Sequence, residues 1–293
     1  GYRLRPLRGS HLIFYSNRFS LDRVISFIHP KDLRPVFIFP WEGCILLGTT
    51  DIDHDQALSS EPVVTLDEAD YLMQGLTSMF PDIPLTMADC IGSMAGVRPV
   101  LSKKSRSASR ESREHVVWKD KGVVSVTGGK LTTFRLLARD ALNAAKSSLP
   151  SANNRSVLVS DAKEGAFADL NGVPAPIQRR ILGRYGRAAS ERFKQYQPSS
   201  FSRIHHTQTL WAELMYAAEY EQVRCLADLL LRRVRIGLLL PFGGKGELDK
   251  IETLCKPYLD WDDQRWAREK KQYLALWENA YSPPKSSQGG TME

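Results

Sequence analysis

What this chain has little of narrows the possibilities first. Its 293 residues include four cysteines, Cys44, Cys90, Cys225 and Cys255, far apart and without a C-x-x-C pair. That spacing argues against a zinc site and for free thiols in a reducing compartment. No apolar run reaches the ~18 residues of a membrane-crossing helix. The letters G-x-G-x-x-G occur nowhere, so the chain carries no dinucleotide fingerprint. A phosphate-binding P-loop fails as well: it needs a glycine where Val124 stands and a serine or threonine where Leu131 stands. The nucleic-acid motifs are missing, and the basic residues are not interleaved with stacking aromatics.

What is present is a globular balance, 42% hydrophobic and 25% charged, with a formal net charge of +7. The length allows roughly two domains. The charge suits an anionic substrate or an anionic surface. At the centre lies the stretch 122–142. Val123, Val124 and Val126 read as a buried strand, Gly128 and Gly129 break it, and Phe134, Leu137, Ala138, Ala141 and Leu142 recur at helical spacing. Thr132 is the expected N-cap. A strand that passes through paired glycines into a helix start lets a ligand approach the backbone and meet the first-turn N–H groups, and Lys130 adds a full charge there. An ordinary strand–loop–helix connection with a surface lysine has the same letters.

Elsewhere, residues 10–15 read as a strand with His11 near its start, and residues 34–51 as a hairpin. Asp51-Ile-Asp-His-Asp opens like a calcium loop, but Gln56 and Pro62 stand where that loop needs glycine and glutamate, and no metal site is expected. Residues 65–80 form an amphipathic helix stopped by Pro81, and residues 89–101 a strand. Arg98 sits in that strand between Val97 and Pro99, a costly place for a charge unless it meets an anion or lies on an exposed edge. A Ser/Lys/Arg run over 102–112 reads as a solvated loop. From Ala175 onward the pattern is helical, with one long helical stretch expected over 207–240, where Gly237 is a candidate break and Pro241-Phe-Gly-Gly the end, and another helix over 261–277.

Six motifs in order carry a resemblance: Arg8-Gly-Ser-His-Leu, Asp32-Leu-Arg-Pro-Val-Phe-Ile-Phe-Pro-Trp-Glu-Gly, Leu47-Gly-Thr-Thr-Asp, Ala95-Gly-Val-Arg-Pro-Val, Ser112-Arg-Glu-His and Val126-Thr-Gly-Gly-Lys-Leu-Thr-Thr. Together with Gly183-Arg-Tyr-Gly, Thr209-Leu-Trp-Ala-Glu-Leu and Asp228-Leu-Leu-Leu-Arg-Arg, they resemble the FAD-dependent glycerol-3-phosphate dehydrogenases over residues 1 to about 245. That family opens with a dinucleotide-binding half that is not among these residues, so the chain is expected to be the C-terminal portion of such an enzyme.

The resemblance implies an α+β fold. Residues 1–118 would form a mixed-sheet substrate domain and 119–150 the last strand and helix of an FAD-binding α/β domain. A linker over 151–165, an all-helical domain over 166–281 and a disordered tail over 282–293 would follow. It implies FAD held by Gly128, Gly129, Lys130, Leu131 and Thr132. Glycerol 3-phosphate would be bound by Arg98, Arg113 and Thr50, with His11, Arg98 and Lys130 as the catalytic set and His11 as base. It further implies hydride transfer from C2 to the flavin with dihydroxyacetone phosphate as product, a quinone as acceptor, and a possible homodimer; a related oxidase using oxygen as acceptor, and an inactive remnant serving as an interaction module, are the alternatives. The place of work would be the cytoplasmic face of the inner membrane, reached by peripheral attachment to its anionic surface. Arg232–Arg235 and Arg265–Lys271 are basic helical stretches that suit an anionic lipid surface; for Arg232–Arg235 a core-packing helix with basic residues on its rim is the blander account.

Overall fold

The computed structural model of the chain describes residues 3–83, 85–102, 114–145, 170 and 172–285. Arg113, the run from 103 to 112, the linker at 151–165 and the tail from 286 lie outside the described residues. Strands and helices are mixed, as the α+β reading expects. The chain gathers into two compact units, one of residues 1–10, 50–62 and 95–156, the other of residues 11–49, 63–94 and 157–293. The contiguous boundaries read from the sequence are therefore cut differently. Strands β1 (Leu4–Tyr15) and β6 (Cys90–Leu101) each contribute residues to both units.

The larger unit, 11–49, 63–94 and 157–293, holds the main core. The second half of β1 pairs antiparallel with β4 (Cys44–Gly48), β4 with β3 (Pro35–Trp41), and β3 with β2 (Ile25–Ile28). The expected hairpin is thus β3–β4, turned at Glu42 and Gly43. Gly43 has φ +92, and a side chain there would strike the His206 carbonyl, so glycine serves both the turn and the close approach. Every residue of β4 is buried. Helix α1 (Leu66–Met79) begins as its letters ask. Thr65 Oγ1 accepts from Glu68 N–H while the Glu68 carboxylate accepts from Thr65 N–H, a reciprocal capping box.

Farther along in this unit stand α3 (Ala175–Ser190, with non-helical Gly186), α4 (Trp211–Tyr220), α5 (Leu248–Cys255) and α6 (Asp263–Ala280). The single helix expected over 207–240 does not form. It ends at Tyr220, Gln222 takes φ 52, a wide turn runs over Asp228–Arg233, and Arg235 takes φ 63 before a tight turn at Ile236–Leu238. The apolar period continues across these breaks, which is why the letters read as one helix. What interrupts it is local polar bonding: Asp228 Oδ2 accepts from the N–H groups of Arg224 and Cys225 and starts a new turn, and Arg233 Nε donates to the Glu221 carbonyl. Ile13, Cys44 and Leu46 of the sheet pack with Leu214, Leu229, Leu230, Leu239, Ile251, Trp266, Tyr273 and Trp277 in one continuous core.

At the centre of the helical part, the fully buried Glu213 carboxylate accepts from Leu210 N–H at 2.8 Å, Tyr185 Oη at 3.0 Å and Arg180 Nε at 3.2 Å, and pairs with Arg184. Arg180 and Arg184 also reach Glu42 at the hairpin tip. Burial opposes the Arg180 charge, yet Glu213 and Glu42 outweigh it and raise its pKa. Burial, with Glu213 adding to it, pushes the Tyr185 hydroxyl up as well.

The smaller unit, 1–10, 50–62 and 95–156, is built differently. The first half of β1 pairs with β5 (Ile52–Asp53) in the register Leu7↔Asp53 and Arg8↔Ile52. Strands β7 (Val116–Asp120) and β8 (Val123–Thr127) make a two-stranded antiparallel ribbon, followed by a tight turn at Leu131–Thr133 and α2 (Phe134–Ala145). No described residue from 114 to 145 is buried. This corrects the buried strand expected at 122–126: Val123 is 62% exposed, because only β7 pairs with this strand among the described residues.

Candidate active-site cleft

The glycine turn and Arg98 come together within the smaller unit. A cleft of about 560 Å³ is lined by Val97, Arg98, Pro99 and Val100 from β6, by Gly128, Gly129, Lys130 and Leu131 from the turn after β8, and by Phe134 and Leu137 from α2. The turn is glycine for cause. Gly128 and Gly129 have φ +80 and +84, and a Cβ on Gly128 would lie 2.5 Å from the Glu114 carbonyl oxygen. His115 Nε2 donates to Asp140 Oδ2 at 3.0 Å, tying the start of β7 to α2 and holding Asp140 below the usual carboxylate range.

The helix start differs from the expectation in one detail. Lys130, not Thr132, is the N-cap, of a three-residue turn at 131–133 that precedes α2, and Thr132 is exposed. Thr133, at the third position of the turn, reaches back: its Oγ1 accepts from Lys130 N–H and donates to the Lys130 carbonyl. Lys130 is exposed at the cleft edge.

Arg98 Nη1 donates to Asp51 Oδ1 at 3.1 Å, and Asp51 is 9% exposed. Asp53, two residues on, takes Arg5, whose guanidinium holds it below the usual carboxylate range. The two carboxylates that opened the calcium-like stretch thus face arginines. Thr50 is buried, and its Oγ1 accepts from Ser10 N–H at 3.0 Å, joining β1 to the segment between β4 and β5.

His11 belongs to the other unit. It pairs across β1 and β4 with Gly48, and its ring lies so close over that glycine that a Cβ there would sit 2.7 Å from its Nε2. The expected lipid-facing arginines are mostly engaged within the larger unit. Arg232 pairs with Asp228, Arg235 lies over the Trp41 ring, Arg265 donates to the Arg224 carbonyl, and Lys270 pairs with Asp249. Arg268 and Lys271 on α6 are exposed. No helix of the described residues is long and apolar enough to cross a membrane.

Two features escaped the sequence reading. Asp51 sits inside the Gly-Thr-Thr-Asp motif, yet nothing local links it to Arg98. Gly9, in Arg-Gly-Ser-His, lies directly beneath the Arg98 guanidinium. Gly9 ahead of His11 and the Thr-Thr-Asp step were the available signal.

Comparison with known proteins adds the following. Residues 1–140 match the family described as FAD dependent oxidoreductase, and residues 132–266 match the C-terminal domain of alpha-glycerophosphate oxidase. Aerobic glycerol-3-phosphate dehydrogenases of Staphylococcus aureus strains USA300 and NCTC 8325 are each 28% identical over 253 residues, which is 79% of this chain and 45% of theirs. The chain therefore spans about half the length of these relatives. The solved glycerol-3-phosphate dehydrogenase of Bacillus halodurans, complexed with FAD, superposes with a TM-score of 0.68 at 22% identity, over 98% of this chain and 60% of that one, a likeness of fold.

Proposed function

We propose, from the premise that this chain belongs to the FAD-dependent glycerol-3-phosphate dehydrogenase family, that it forms part of an enzyme oxidising sn-glycerol 3-phosphate to dihydroxyacetone phosphate. The observation that carries the reading is the shared cleft: an arginine from an apolar strand and the glycine turn line the same space. A bound FAD would supply the hydride acceptor in its ring. Gly128, Gly129, Lys130, Leu131 and Thr132 would hold the pyrimidine edge of that ring. The first-turn N–H groups and Lys130 stabilise negative charge there. Arg98 binds a substrate oxyanion through its planar fork, and Arg113 is assigned to the phosphate by resemblance. His11 is the proposed base for the C2 hydroxyl proton, since imidazole titrates near working pH.

The rest of the cofactor is assigned to protein outside this chain. Supporting that are the relatives' greater length and the bare surfaces of β8 and α2. The chain by itself then holds FAD poorly. A quinone acceptor and peripheral attachment to an anionic lipid surface complete the reading, with Arg268 and Lys271 as the residues that would meet lipid.

Anaerobic stopped-flow on the FAD-loaded enzyme containing this chain tests it. Glycerol 3-phosphate should bleach the flavin and glycerol should not. A protein that holds FAD but keeps its colour with glycerol 3-phosphate overturns the substrate. One that takes up no FAD even when supplied with the dinucleotide-binding half overturns the cofactor.

A further inference from the structure

Arg98 is held from two sides inside its own unit. On one side Asp51 Oδ1 accepts from Nη1 at 3.1 Å. On the other is Gly9: an alanine there would bring its Cβ within 2.5 Å of the guanidinium carbon Cζ, and nearer still to both terminal nitrogens. Gly9 is thus the floor on which the guanidinium rests. The two supports are fixed to each other. Ser10, next to Gly9, donates its N–H to Oγ1 of Thr50, next to Asp51, in a bond shielded from water. A guanidinium is a rigid fork of five donors, so fixing one nitrogen and one face sets the direction of the others.

We propose that Gly9 and Asp51 are positioning residues that seat the Arg98 guanidinium at the cleft, Gly9 by leaving room and Asp51 by a directed hydrogen bond. The proposal deepens the reading of Arg98 as the substrate's oxyanion partner and rests on it. Asp51 acts here through the acceptor oxygen more than through its charge, since a carboxylate's charge by itself would weaken anion binding. That gives a discriminating variant. Asp51→Asn keeps an acceptor oxygen without the charge, whereas Asp51→Ala keeps neither.

The test compares Gly9→Ala, Asp51→Ala and Asp51→Asn in two readouts. Crystal structures of the variant chains read the Arg98 position. Steady-state kinetics on the FAD-loaded enzyme read KM for glycerol 3-phosphate and kcat separately. The expected result is a displaced guanidinium and a KM raised about tenfold in the two alanine variants, the size of one charge-assisted hydrogen bond. In these variants kcat should change less, and Asp51→Asn should recover most of both effects. If Arg98 stays in place in Asp51→Ala, the seat is overturned, and that holds even if Gly9→Ala fails to fold. If Asp51→Ala and Asp51→Asn behave alike, the directed bond is overturned. If Arg98 moves while KM does not, the seat stands and the substrate role of Arg98 falls.

Discussion

Helix α6 and helix α2 are both amphipathic in sequence, yet α6 buries Trp266, Tyr273, Trp277 and Ala280 while α2 buries nothing. The aromatic stripe of α6 also ends in hydrogen bonds. Trp277 Nε1 donates to the Gly237 carbonyl and Tyr273 Oη to the Gly243 carbonyl, satisfying backbone groups in turns that no helix or sheet would satisfy. On α2 the corresponding residues face solvent: Phe134, Leu136 and Leu142 are 45%, 41% and 55% exposed. An amphipathic period says that a face needs cover; it does not say that the same polypeptide supplies it. In the reading given above, the cover for α2 and β8 comes from the remaining length of the relatives. The larger unit should therefore respond to substitution in stability, and the smaller one in function.

Trp277→Ala breaks the comparison hardest. It removes a large core side chain and strands the Gly237 carbonyl, costing about 3–5 kcal/mol, read by urea denaturation of the chain. A loss below about 1 kcal/mol would mean that α6 is not the closing element of its core. Glu213→Gln should cost about 3 kcal/mol, because Arg180 and Arg184 lose a buried counter-charge. Unchanged stability would show that Glu42 suffices to hold both arginines.

Next comes Arg98→Ala in the smaller unit. Thermal unfolding of the chain should barely move, while kcat/KM of the FAD-loaded enzyme falls by the equivalent of about 2–4 kcal/mol. Full activity would remove Arg98 from the site. A pH effect follows in the larger unit. The His206 pKa is lowered from 6.5, burial being the main cause, and its Nε2 donates to the Leu239 carbonyl. A depressed folded pKa means that the unfolded chain binds the proton more readily. The resulting stability is present above pH 6.5 and is lost as pH falls through the folded value. His206→Gln should make the decline of Tm on acidification shallower, and an unaltered profile would mean that other groups set it. The smallest effect is expected at Leu142→Ser on α2, within about 0.5 kcal/mol. A large loss there would mean that α2 is covered after all.

The parts legible in the letters were those whose cause is local. The helix over 65–80, the β3–β4 hairpin and the stripe of α6 depend on residues a few positions apart. The helix drawn through 207–240 failed because its breaks sit at Gln222 and Arg235, residues that do not advertise a left-handed conformation as glycine does. At the site, the glycine turn was readable as a ligand approach. The seat of Arg98 was not, since Gly9, Asp51 and Arg98 meet only through tertiary structure, 47 residues separating the hydrogen-bonded pair of Asp51 and Arg98. The exposure of β8 was unreadable for a different reason: a run of valines states an affinity for cover and is silent about its source.

The hold that α6 has on the turns at Gly237 and Gly243 carries a consequence for how the chain is made. Just past α6, the Tyr281 and Ser282 carbonyls accept from the N–H and hydroxyl of Ser93 at the start of β6. The first strands of the larger unit leave the ribosome more than two hundred residues before Trp277 does. At ~5–20 residues per second, that interval is on the order of 10–50 s. For most of it, Ile13, Leu46 and Trp41 lack the helical residues they finally pack with. The nascent chain exposes apolar surface during that window, and a polypeptide ending short of Trp266 would keep its hairpin residues but lack the helix that closes the core over them.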